Sequence, residues 1–390
     1  MKLILVLTLF FTFIHALEES KQLQAVHPMQ ERKDLKKVLQ TMQTNIKNYL
    51  YETPLSSYNY FNKKSPELSS QALITWIHGD IYLNTLAADD SFEQATLNNA
   101  QYTHLGDYRY DMFTLLSDLL LKMQEDSDFS GSKEKAILGT FVDGYFERLQ
   151  NQKLKCPSID EALSDVNNND LLKQYTLIHK NHRHFNTRKK TLNKVSTSQT
   201  AVIKEKMAGY LKKFKVLPIK DIAVDTYGDY LILCEGETKT AQDDIIFTLS
   251  VRTLPVSYQV NKQMKQTYLS KSLLSKPYVV SSFNQSAYAG NVQIQNKNYF
   301  VNKLNPSLSL QPESEKTRAY KNYAAALGYM LASFHSNPAL NSCKTFISKV
   351  KKEVKTRTVK TEIISMVFSY NEALEENWES FSEKDLISLK

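Results

Sequence analysis

The chain has 390 residues, 42% hydrophobic and 23% charged, which is ordinary globular composition and enough length for two or three lobes with their own cores. Its three cysteines, Cys156, Cys234 and Cys343, lie far apart without Cys-x-x-Cys spacing, so neither a zinc knuckle nor a disulfide scaffold is indicated. One bridge with a free thiol and three buried thiols both remain open. The formal charge of +8 favours anionic partners weakly: nucleotides, phosphates or a membrane surface.

Residues 1–16 read as a secretory signal peptide: Lys2, then a mostly apolar run from Leu3 to Ile14, then His15-Ala16. The run is shorter than the ~20 apolar residues a bilayer span requires. Nothing after it reads as transmembrane, so an exported protein, periplasmic or extracellular, is expected. An uncleaved anchor is the alternative.

Leu35, Val38, Leu39, Met42, Ile46 and Leu50 recur at helical spacing, predicting one amphipathic helix over 29–50. Leu73 to Ile77 reads as a short buried strand. Helices follow from Asp111, with Leu115, Leu116, Leu119 and Leu120 as its stripe, and around Ile137, Phe141, Tyr145 and Leu149. The polar stretch 157–170, with Asn167-Asn168-Asn169, reads as a loop or lobe boundary. Ala201 to Phe214 is helical again. Strands are expected at 230–234, 245–251, 278–283 and 292–295, the last turning at Asn296-Lys297 into 299–304. The chain then returns to helix, with Tyr320, Tyr323, Ala324, Leu327, Leu331 and Phe334 on one face, ending near His335. The divisions are 17–155 (a helical lobe), 156–215 (linker and helix), 216–306 (strand-rich) and 307–390 (C-terminal helices).

One motif pair carries chemistry. His78-Gly79-Asp80, with Asn84 four residues on, has the spacing of a phosphotransferase loop, where an aspartate faces the attacking hydroxyl and an asparagine holds metal. Gly106-Asp107-Tyr108-Arg109-Tyr110-Asp111 follows and resembles an element of aminoglycoside-type phosphotransferases. Too little chain precedes His78 for a nucleotide lobe, and the strand-rich region lies downstream instead. Tyr299 to Leu304 looks like a last sheet strand entering a hinge, and Leu327 to His335 like the helix leading into a catalytic loop. The whole reads as an α+β protein-kinase-like two-lobe fold in circularly permuted order.

That order resembles the bacterial domain of unknown function 2252 family. The resemblance rests on these segments, on Thr187 to Leu192 and on Phe247 to Pro255. It implies Asp80 as catalytic base or orienting carboxylate, with His78 beside it, and Asn84 as a magnesium ligand. The family's second metal aspartate falls at Asn99, a neutral amide and a weak magnesium ligand. Its phosphate-gripping lysine falls at Arg252, which keeps the charge with different geometry. Its glycine loop falls at Asp225 to Tyr230, where Gly228 stands between two acids. Lys303 completes the implied nucleotide contacts. Asp89 and Asp90 are left in a polar loop.

Three departures at functional points predict a degenerate member, a pseudokinase acting by binding an unknown ligand or envelope protein without phosphoryl transfer. The alternatives are an active ATP- and magnesium-dependent phosphotransferase, and an envelope structural protein contacting an anionic surface. No nucleic acid is expected as partner. His179, His182 and His184 read as a solvated basic loop rather than a metal site, because no nearby acid completes a ligand set. The basic run Lys344, Lys349, Lys351, Lys352, Lys355, Arg357 and Lys360 reads as the wet face of a helix. Asp111 is expected to cap the helix that follows it.

Overall fold

The computed structural model describes residues 32–382, apart from 89–94, 99–101, 152–155, 252–254, 264–287, 338–342 and shorter breaks. The signal segment 1–16, the strand expected at 278–283, Asp89, Asp90, Asn99 and Arg252 lie outside the described residues.

The expected α+β class holds, with helix and sheet partly segregated along the chain. Three helices open it: α1 (Arg32–Met42), α2 (Ile46–Glu52) and α3 (Pro54–Lys64). The single helix expected over 29–50 is therefore two, because Asn45 caps α2 by accepting the Asn48 N–H at 2.8 Å. The strand β1 (Ile74–Ile77) leads into the His-Gly-Asp turn, and β2 (Leu86–Ala88) and β3 (Ala95–Leu97) form a small ribbon. β4 (His104–Asp107) pairs antiparallel with β1 and runs straight into α4 (Tyr108–Asp126). α4 is buried through most of its length, so it forms the axis around which the others pack.

α5 (Gly131–Gln150) and α10 (Thr317–His335) lie across α4, and their apolar stripes are those the sequence predicts. Gly144 and Gly328 let them approach: a Cβ at Gly328 would stand 2.0 Å from the Phe141 carbonyl oxygen, and one at Gly144 2.6 Å from that of Ala325. The stretch expected as loop instead holds α6 (Pro157–Ser164) and α7 (Asn168–Tyr175). The hairpin β5 (Thr176–His179) with β6 (His182–Phe185) follows, again where linker was expected.

A six-stranded antiparallel sheet comes next, in the order β11-β12-β10-β9-β8-β7. Its strands are β7 (Leu192–Lys194), β8 (Ile219–Asp225), β9 (Tyr230–Cys234), β10 (Ile245–Val251), β11 (Gly290–Ile294) and β12 (Lys297–Lys303). The sequence found β9 to β12 and missed β7 and β8. The β11–β12 turn sits at Gln295-Asn296, one residue earlier than expected, both with positive φ (48° and 64°), which matches the right-handed twist of the pair. α8 (Thr197–Leu211) packs Ile203, Met207, Tyr210 and Leu211 onto this sheet. α9 (Val256–Val260) returns the chain to the helical unit. Finally α11 (Cys343–Glu353) and α12 (Thr356–Ser382) complete that unit's core, so residues far apart in sequence share one cluster. The basic run falls on α11, α12 and their junction; its lysines before α12 and Arg357 are exposed, as expected.

Gly328→Ala should lose about 1–3 kcal/mol, since a Cβ there must displace backbone. Gly209→Ala, with nothing within 4 Å on exposed α8, should gain roughly 0.5–1 kcal/mol. Urea unfolding of both checks the pair: equal and opposite-to-expected shifts would contradict the packing described.

Candidate functional site

The His-Gly-Asp turn is held from behind. Gly79 has φ +80°, and a Cβ there would meet the His104 ring at 2.5 Å, so glycine is required on both counts. The buried Asp111 carboxylate accepts the backbone N–H of His78 (2.7 Å) and of Gly79 (2.9 Å). His335, at the end of α10, places Nε2 3.1 Å from the same carboxylate, and the Tyr145 hydroxyl lies 2.7 Å from His335 Nδ1. Burial alone would raise the pKa of Asp111, but the His335 hydrogen bond and charge, the His78 imidazole and the Gly79 N–H hold it below the usual range. Asp111 therefore does not cap α4. That role falls to Asp107, whose Oδ1 accepts the Arg109 N–H at 3.0 Å.

The rest of the Gly-Asp element is equally structural. Asp107 also pairs with the Arg109 guanidinium (2.6 Å), which donates to the Ser70 carbonyl (2.7 Å). Tyr108 and Tyr110 are core residues, and Gly106 lies against Ile77 across the β1–β4 pair.

Asp80 is the exception, a carboxyl with no compensating partner. Its Oδ1 is out of contact with solvent and accepts no hydrogen bond among the described residues. Burial first, then the charges of Glu52 and Asp111, push its pKa up to about 8, so it is mostly protonated at neutral pH. His78, beside it, is fully buried with Nε2 2.9 Å from the Asn98 carbonyl, and burial lowers its pKa. The ring is thus fixed to the polypeptide behind the turn through Nε2. Asn98 in turn exchanges hydrogen bonds with the Asn305 backbone at 3.2 and 3.4 Å, joining the turn to the segment after β12.

The strand unit reaches the site through the β8–β9 turn. Gly228 has φ +88°, as a tight turn requires. Asp225 Oδ1 accepts the N–H of Tyr227 (2.8 Å) and of Asp229 (3.0 Å), and the Gly228 N–H binds the Asp225 carbonyl at 3.3 Å. The turn's backbone donors are consumed by its own aspartate. Asp229 is buried against Ser250, and burial and then Asp225 push its pKa well above the carboxylate range. From this turn the Tyr227 hydroxyl donates to Glu52 Oε1 at 2.8 Å, and Glu52 is the buried acid whose charge acts on Asp80.

The structure does not bring the implied metal ligands together. Asn84 is exposed in a 3-10 turn over Leu83–Thr85, and Asn99 is not among the described residues. Among the described residues no group of three His, Cys, Asp or Glu side chains is gathered at metal-binding distance. Lys303 ends β12, half-buried, opposite Phe247. Cys156 and Cys234 are free thiols, and burial raises the pKa of both.

Several residues that shape the site escape sequence reasoning. Glu52 and Tyr227 come from distant elements, and Asp118, on α4, holds the chain after the turn through the Leu83 N–H (2.8 Å) and the Tyr51 hydroxyl (3.0 Å). Burial raises the Asp118 pKa to about 6 despite these bonds and the charges of Lys47 and Lys122. The one available signal was acid at positions 111 and 118, within the apolar stripe of α4. No protein family, curated protein or solved structure matches the chain.

Two substitutions test this geometry. Asp111→Asn should cost about 3–5 kcal/mol in chemical denaturation, as for removal of one member of a buried ion pair. For Asp80 the raised folded-state pKa means proton uptake on folding between the ordinary carboxylate range and about pH 8, so its contribution to stability falls as pH rises through that window. Asp80→Asn should therefore raise the melting temperature more at pH 8 than at pH 5. An equal gain at both would show that Asp80 titrates normally.

Proposed function

We propose that this chain is an exported kinase-like protein, of the domain of unknown function 2252 type, that binds a ligand or protein partner and has lost phosphoryl transfer. The permuted order draws support from His335. The helix taken to lead into the catalytic loop ends 3.1 Å from the carboxylate holding both N–H groups of the His-Gly-Asp turn. The strand unit also packs against that half, through Tyr227 on Glu52.

The observation that carries the loss of transfer is the Asp225 carboxylate. A phosphate-gripping turn works by presenting free backbone N–H groups to anionic oxygens. Here Asp225 occupies two of them, and Asp229 adds a second acid beneath. Triphosphate would have to displace a bound carboxylate and approach like charge. Asp80, protonated at neutral pH, is a poor base until a cation arrives beside it.

Calorimetric titration with ATP, with and without magnesium, checks the reading. No saturable heat is expected at millimolar nucleotide, for the native chain or for Asp80→Ala. Saturable, magnesium-dependent binding weakened by both Asp80→Ala and Asn84→Ala would establish the active phosphotransferase instead.

A further inference from the structure

The hairpin of β5 and β6 was expected to be a basic loop, and its register changes what its histidines can do. His179 pairs directly with His182, and Leu177 with His184. Side chains alternate across a strand, so His179, His182 and His184 all stand on one face. Directly opposed residues hold their Cβ atoms about 4.5–5.5 Å apart. His182 and His184, two apart on one strand, are separated by roughly 6.5–7 Å. All three are exposed. Arg183, which alternates to the opposite face, is buried against Asp244 and the Thr176 hydroxyl, so its charge is directed away.

The acid that sequence proximity could not supply comes from β8. Asp221 Oδ2 lies 4.0 Å from His184 Nδ1. It is itself fixed by the backbone N–H groups of Phe185 and Ile222, both at 2.9 Å. At 4.0 Å the carboxylate makes no hydrogen bond to the ring, but its charge on the Nδ1 side favours the tautomer that carries its proton there, and closing that gap would give the carboxylate–imidazole pair that orients a metal ligand.

We propose that His179, His182 and His184 form a zinc site on this hairpin, with Asp221 orienting His184 from behind. Among the described residues no three such side chains are gathered as a metal ion would hold them. Exposed side chains exchange rotamers in picoseconds to nanoseconds, so closing them costs side-chain entropy and no backbone movement. Three neutral imidazoles at about 2.0–2.1 Å leave a fourth tetrahedral position open to solvent or a small ligand. Lys194 and Lys204 line a cavity of about 300 Å³ beside His184 and Asp221. Their charge opposes the cation and favours an anionic fourth ligand, hydroxide or carboxylate, over a neutral one.

The test is Zn²⁺ titrated into the purified chain against a chromophoric chelator, with Co²⁺ as a visible-absorption probe of tetrahedral geometry. One site per chain at micromolar metal or tighter is expected. His179→Ala and His182→Ala should each abolish saturation in that range, and Asp221→Asn should weaken it roughly 10-fold. Leu177→His, which adds an imidazole opposite His184 on the same face, should tighten binding. Circular dichroism should show these variants folded, and Leu177→His reports on the site without removing any ligand. Saturable binding that survives the His179→Ala/His182→Ala double variant, or binding only at millimolar metal, would overturn the proposal.

Discussion

One buried carboxylate organises this molecule. Asp111 sits where α4 begins and accepts two consecutive N–H groups from the turn after β1, while His335 approaches it from the end of α10. Four elements converge on that charge, since Tyr145 on α5 closes the chain through His335. A desolvated anion is tolerable only with such compensation, and each donor is held where the anion needs it. The left-handed Gly79 and the β1–β4 pair follow from the same constraint, because they bring the two N–H groups to one side.

Around this centre lie further acids, two of which burial pushes toward the protonated form. Glu52, Asp80, Asp225 and Asp229 gather where the two units meet, in a chain whose formal charge is +8. The excess of positive charge is elsewhere, on α11, on the start of α12 and around the β5–β6 hairpin. Acidic side chains are thus concentrated at the interior junction and basic ones at the periphery.

What the sequence revealed depended on how strongly each element declared its period. α5 and α10 were legible because Ile137, Phe141 and Tyr145, and Tyr320, Ala324 and Leu331, repeat every three or four residues and are buried. α6 and α7 were missed because they are short and begin or end among polar residues, so turn composition outweighed periodicity. The β5–β6 hairpin was missed because Leu177, Ile178 and His179 are all exposed, leaving no alternation to read. At the site, Asp80 and Gly79 were visible as a motif, but the meaning of their neighbours was not. Asp111 was assigned to its own helix because local capping is the commoner use of an acid there, whereas its partners are 32 and 33 positions away. Glu52, Tyr227 and Asp221 could not be found at all, since tertiary contact alone defines their roles.

The route of the chain has a consequence for how it comes to be folded. α4 and α5 are made early, yet the helices that cover them, α10 and α12, follow the whole sheet. Loop closure over so long an intervening segment is entropically costly and slow. During synthesis the first half must wait with a broad apolar face open, while the sheet, whose strands are mostly close neighbours in sequence, can close on itself. The interval between those two events is when the nascent polypeptide is most exposed to aggregation and most dependent on chaperones. Glycines at 144 and 328, which let the late helix seat deeply, make the final docking decisive and hard to imitate by any substitute partner.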